Sequence, residues 1–140
     1  MIYTNSDGGA RGNPGPGAVG VIVRKDSEIL LKYSAVIGEN VTNNIAEYEG
    51  LIAALKLAQK FTDDEITCIV DSELIVKQLL GEYKVKNPIL KRLFLQVQEL
   101  QENFNKIIYK SVSRNNKYQK IVDELLNEEL DDKGYFRGKR

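Results

Sequence analysis

The sequence predicts an α/β protein with one mixed sheet flanked by helices, and two patterns carry that expectation. Three runs of β-type residues joined by turn-forming clusters fill the first part of the chain; helical periodicity alternating with strand-like runs fills the rest. Sequential strands with short connections form an antiparallel meander, whereas strands separated by helices have the crossovers that parallel pairing needs. The order read from the chain is β-β-β-α-β-α-α-β-α, which makes a five-stranded sheet.

Taken in order, Ile2 to Ser6 is a short strand rich in Tyr and Thr. Asp7 to Gly17 follows, with five glycines and two prolines in eleven residues, and reads as a tight irregular loop that opens on a carboxylate. Ala18 to Arg24 and Glu28 to Ile37 are strands separated by Lys25-Asp26-Ser27, and Asn40 to Asn44 is turn-like. From Ile45 to about Phe61 the period is helical. Ile66 to Val70 is an unbroken apolar run, as in a strand covered on both faces, and it ends at Asp71. Asp71 or Ser72 caps a helix that stops at Gly81. Asn87-Pro88 starts another, running to about Asn103; Lys106 to Val112 is the last strand and Tyr118 to about Leu130 the last helix. One domain over residues 1–130 is expected, followed by a polar, mobile tail from Asp131 to Arg140.

Two absences narrow the chemistry. The chain contains no histidine, which removes imidazole acid/base catalysis, histidine-based triads and His-containing zinc sites. The single cysteine, Cys68, cannot build a thiolate cage or an internal disulfide. A metal would be held by carboxylates, carbonyls and water, a set suited to hard ions such as Mg²⁺ or Mn²⁺. Net charge is zero, so a nucleic-acid partner must be argued from local sites. No stretch is apolar enough for a membrane span and no secretory signal is expected, so a cytoplasmic monomer without an obligatory protein partner is the default reading.

Among 20 acidic residues, the informative ones sit where a solvated charge should not. With Ile45 at zero, Tyr48, Leu51, Leu55 and Ala58 occupy an arc of roughly 220° to 300° and Glu47 lies beside it at roughly 200°, while Glu49 falls among Lys56 and Lys60. Glu47 therefore points toward the sheet, although its offset from Asn44 also fits a capping box. Asp71 closes an apolar strand at its C-terminal end, the usual rim for sites, or simply caps the next helix. Asp123 lies at the edge of the apolar stripe of the last helix, where periodicity makes it an ordinary boundary residue.

Together these segments resemble the type 1 ribonuclease H family over nearly the whole chain. Asp7 to Gly17, with its Asn13-Pro14-Gly15-Pro16-Gly17 run, is similar to that family's opening motif; Thr42-Asn43-Asn44-Ile45-Ala46-Glu47 to its second; Ile69-Val70-Asp71-Ser72 to its third; Val122-Asp123-Glu124-Leu125 to its last. The resemblance implies the ribonuclease H-like fold and a catalytic, metal-binding set of Asp7, Glu47, Asp71 and Asp123. It implies two Mg²⁺ ions sharing Asp7, with Mn²⁺ as an alternative, and cleavage of the RNA strand of an RNA/DNA hybrid to leave 5′-phosphate and 3′-hydroxyl ends. Double-stranded RNA is a second candidate substrate.

By the same resemblance Gly8, Gly9, Asn13, Asn43 and Asn44 line the groove that meets the RNA strand, and Thr42 helps hold a DNA phosphate. The chain departs from many members in three places. Arg114 stands in the loop where they carry histidine, Glu73 stands where some carry Gln, and the short Gly81 to Asn87 connection has no basic protrusion. Weaker hybrid binding with a steep salt dependence follows; Lys84, Lys86, Lys91 and Arg92 read first as a solvated helix entry and otherwise as partial substitutes for the protrusion. A silent RNA- or hybrid-binding module and a different nuclease or integrase on the same fold are the alternatives.

Overall fold

A computed structural model describes residues 1–135, and among these described residues five strands and four helices follow one another in the expected order. They are β1 (Ile2–Ala10), β2 (Gly15–Lys25), β3 (Glu28–Val41), α1 (Asn43–Ala58), β4 (Glu65–Val70), α2 (Glu73–Leu79), α3 (Pro88–Gln101), β5 (Lys106–Ser111) and α4 (Lys117–Asp132). The strands make one mixed sheet in the order β3-β2-β1-β4-β5. The meander β1-β2-β3 is antiparallel, and β4 and β5 add in parallel beside β1 after their helical crossovers.

The two faces of the sheet are covered differently. On one, the fully buried Tyr48, Leu51 and Leu55 of α1 pack with Ile66 and Cys68 of β4, Val97 of α3 and Ile75 of α2 in the main core. On the other, Leu126 and Leu130 of α4 meet Ala18 and Val36. Gly8 and Gly20 let the helices approach. A Cβ on Gly8 would overlap the Ala46 carbonyl of α1, and one on Gly20 would overlap the Val122 carbonyl of α4.

Several boundaries differ from the sequence reading. β1 does not stop at Ser6 but continues through Asp7, Gly8 and Gly9 to Ala10, pairing with β2 as far as Ala10↔Gly17. Glycine tolerates extended backbone when a paired strand satisfies its hydrogen bonds, so the irregular stretch shrinks to the four residues between β1 and β2. α1 begins at Asn43, with Thr42 as its cap: the Thr42 hydroxyl accepts from Ile45 N–H at 3.2 Å. Glu47 is thus two residues too far along to close a capping box, whose acid would stand at Ile45. Ser72, not Asp71, caps α2 by accepting from Ile75 N–H at 3.3 Å. α4 extends to Asp132, past the expected start of the tail, and residues 136–140 of that tail lie outside the described residues. Among the described residues no helix is long and apolar enough to cross a membrane.

Candidate active site

Strand register brings two of the acids together. β1 and β4 are parallel with Asn5 opposite Ile69, and continuing that register two residues sets Asp7 level with Asp71, just beyond the end of β4. α1, pressed onto β1 at Gly8, supplies Glu47 from its second turn. Carboxylate oxygens of Asp7, Glu47 and Asp71 lie within 4.8 Å of one another, and all three residues are half-buried. The two acids whose capping alternatives fail are the two that converge on Asp7.

Such a cluster holds its protons tightly. Burial, followed by the charges of Asp71, Asp123 and Glu47, pushes Asp7 up to about 8, although the Gly8 N–H donates to its Oδ1 at 2.9 Å and opposes the shift. Burial and then Asp71 push Glu47 up to about 7, against the favourable charge of Arg114. Asp71 is also raised, mainly by burial, with Arg114 as the principal opposing charge. The Arg114 guanidinium stands 3.8 Å from Asp71 while its side chain remains 90% exposed, so it flanks the cluster without neutralising it.

Asp123 stands apart from this trio. It is exposed on α4 and lines the same cleft of about 940 Å³ as Asp7, Glu47, Asp71 and Arg114. Its backbone and side-chain oxygens accept from Asn127 Nδ2 at 2.9 and 3.2 Å. The periodicity reading of a boundary position is correct for the helix, and the cleft lies at that boundary.

The expected substrate residues fall into two adjoining depressions. Gly8, Gly9 and Asn43 line the acidic cleft; Asn13, Thr42, Asn43 and Asn44 line a second groove of about 490 Å³. Asn43 joins them: its Oδ1 accepts from Ala10 N–H at 2.9 Å, and its own N–H donates to Asn13 Oδ1 at 3.0 Å. Sequence reasoning missed four residues here. Asn87, noted only as a helix cap, lines the second groove. Gln119 and Asn127 line the acidic cleft one turn before and after Asp123, a spacing that could have flagged them. Arg11, inside the glycine-rich segment, ties that segment to α4 by bonding Asp131 Oδ1 at 2.5 Å, Asn127 Oδ1 at 3.0 Å and the Tyr135 carbonyl.

The donor set suits a hard divalent cation. Every converging group is a carboxylate, and a cation would offset both the burial and the mutual repulsion that raise Asp7 and Glu47.

Known proteins resemble this chain over most of its length. The family described as "Reverse transcriptase-like" matches residues 5–125. The chain is 41% identical over 132 residues to Ribonuclease HI of Halobacterium salinarum, covering 94% of this chain and 65% of that protein. The chain belongs to the ribonuclease H family. It is also 41% identical over 133 residues to the "Bifunctional protein Rv2228c" of Mycobacterium tuberculosis, covering 93% of this chain but 35% of that one. It thus spans about a third of the mycobacterial relative and about two thirds of the archaeal one. Among solved structures, LC11-RNase H1 in complex with RNA/DNA hybrid superposes with a TM-score of 0.87 at 38% identity, covering 95% of this chain and 99% of that one.

Proposed function

We propose that this chain is an endoribonuclease that hydrolyses the RNA strand of RNA/DNA hybrids by two-metal-ion catalysis. The observation that carries this reading is the convergence of Asp7, Glu47 and Asp71 within 4.8 Å in a cleft that Asp123 also lines. The family and the hybrid-bound relative support it.

Asp7, Glu47, Asp71 and Asp123 would hold two Mg²⁺ ions, or Mn²⁺; Asp7 is central to the set, since the charges of the other three all act on it. Bound divalent cations supply a water of lowered pKa and charge neutralisation at the scissile phosphate. The chain's own residues supply position. Backbone of Gly8 and Gly9 at the cleft lets a sugar approach closely, and the 2′-hydroxyl is the group that distinguishes RNA from DNA. Asn13, Asn43 and Asn44 offer uncharged polar contacts to the RNA strand in the adjoining groove, and Thr42 offers one to a DNA phosphate. Arg114 at the rim offers positive charge to a phosphate, which would take the place of Asp71 as the guanidinium's partner when the strand is bound. The products are 5′-phosphate and 3′-hydroxyl ends, and the enzyme works as a cytoplasmic monomer.

A substrate panel tests the assignment: end-labelled RNA/DNA hybrid, duplex RNA, duplex DNA and single strands, each with Mg²⁺ or Mn²⁺. Preferential cleavage of the RNA strand of the hybrid is expected, with end-group analysis giving 5′-phosphate and 3′-hydroxyl. Preferential cleavage of duplex DNA, or binding of the hybrid without metal-dependent product, would overturn it.

A further inference from the structure

Between α4 and the sheet runs a chain of buried polar side chains that the catalytic reading does not use. Arg24 Nε donates to Asn5 Oδ1 at 2.9 Å, Asn5 Nδ2 donates to Gln119 Oε1 at 2.9 Å, and Gln119 Nε2 donates to the Ser6 carbonyl at 3.2 Å. Asn5 and Gln119 are 0% and 1% exposed. The Arg24 guanidinium lies between two rings, 4.5 Å from that of Tyr3 and 3.8 Å from that of Tyr118. Tyr118 and Gln119 also donate their N–H groups to the cap Asn116. The first turn of α4 is therefore held by buried directional contacts, while its later turns combine the apolar contacts of Leu126 and Leu130 with bonds from Arg11 to Asn127 and Asp131 and from Ser34 to Glu129 nearer the surface. Hydrogen bonds constrain angle and register; apolar contacts, being non-directional, do not.

Position makes this arrangement more than a buried network. Asn5 and Asp7 share one face of β1, the face α4 covers, because strand side chains alternate. Ser6, whose carbonyl Gln119 binds, directly precedes Asp7. Gln119 and Asp123 are four residues apart on one face of α4, about 6 Å along its axis. One amide thus ties the strand that carries Asp7 to the helix turn immediately before Asp123. We propose that Gln119 is a positioning residue, holding Asp123 at its working distance from Asp7 through its paired bonds to Asn5 and Ser6. The proposal rests on the catalytic reading of Asp123.

The test compares Gln119→Met, Asp123→Ala and the double variant with wild type, reading kcat and KM on labelled hybrid and Mn²⁺ affinity by calorimetry without substrate. Methionine keeps the volume and helix preference of Gln119 but neither bond. For Gln119→Met a kcat loss of about 10- to 100-fold is expected, with weaker Mn²⁺ binding and KM unchanged. In the Asp123→Ala background, Gln119→Met should leave Mn²⁺ affinity where it was. Ser34→Ala, which removes a bond to Glu129 on the far half of α4, should leave kcat and Mn²⁺ affinity alone. If Gln119→Met does not fold, Gln119→Asn, one methylene shorter, carries the same test with a smaller kcat loss. Wild-type kcat in a folded Gln119 variant, or a full further loss of Mn²⁺ affinity on top of Asp123→Ala, overturns the positioning role. Wild-type activity in Asp123→Ala instead overturns the catalytic reading and the proposal with it.

Discussion

Asp7, Glu47 and Asp71 hang from two adjacent strands and a helix pressed against them, whereas Asp123 projects from a helix on the other face of the sheet. The first group is half-buried and crowded, and its carboxylates are held against their mutual repulsion by the pairing of β1 with β4 and the contact at Gly8. Asp123 is exposed, bonded by Asn127, and reaches the cleft only as far as α4 is correctly seated. One wall is assembled by backbone geometry, the other by side-chain contacts. Rigid backbone tolerates stored electrostatic strain, while a side-chain-tethered wall leaves room for adjustment as substrate enters.

The sharpest way to break the comparison is on the crowded wall. Asp71→Asn or Asp7→Asn should lower kcat on hybrid by on the order of 10³-fold or more, because each removes a ligand charge from the trio. Near wild-type turnover in either would sink the assignment. Gly8→Ala should be next, destabilising the fold by about 1–3 kcal/mol and lowering activity, since the added Cβ drives Ala46 and Glu47 off β1. Urea unfolding together with the hybrid assay checks both. On the tethered wall, Asp123→Ala should lose about 10- to 100-fold, less than either trio variant. A loss equal to that of Asp7→Asn would erase the distinction between the walls.

Smaller effects concern charge. In metal-free protein, Asp7 titrates near 8 and Glu47 near 7, both above their unfolded values. Between about pH 4 and pH 8 the folded state therefore binds more protons than the unfolded one, and stability falls as pH rises through that window. Urea unfolding at pH 5 and pH 8 should show the fall. Asp7→Asn should flatten it and exceed wild type at pH 8 by at least about 1.4 kcal/mol, the equivalent of a tenfold change in proton affinity. Equal slopes in the two proteins would mean that Asp7 is not held protonated. Arg114→Ala, removing a side chain 90% exposed, should leave the melting temperature unchanged and cost only a few-fold in kcat on the hybrid.

How far the site was legible in the chain differs residue by residue. Glu47 was separable from Glu49 because a helical period distinguishes the two sides of α1, and Asp71 stood out because it ends an apolar run. Asp123 had no such contrast: its position on α4 is that of a boundary residue, and its motif singled it out. Gln119 was invisible, since a glutamine on a helix reveals nothing until its partners, Asn5 and Ser6, are known. The full extent of β1 is hidden in the sequence because the glycines after Asp7 read as loop formers, and the pairing that keeps them extended comes from β2.

Local pattern was enough for the order of strands and helices, the exclusion of imidazole and thiolate chemistry, and the oxygen-only ligand set. These depend on residue type and on spacing within single elements. Convergence depended on contacts between residues far apart in the chain: the β1–β4 register that levels Asp7 with Asp71, the glycine contacts that admit α1 and α4, and the amide link that seats α4. Each is a close approach between elements, set by packing and pairing across the fold, and no short window of sequence contains it.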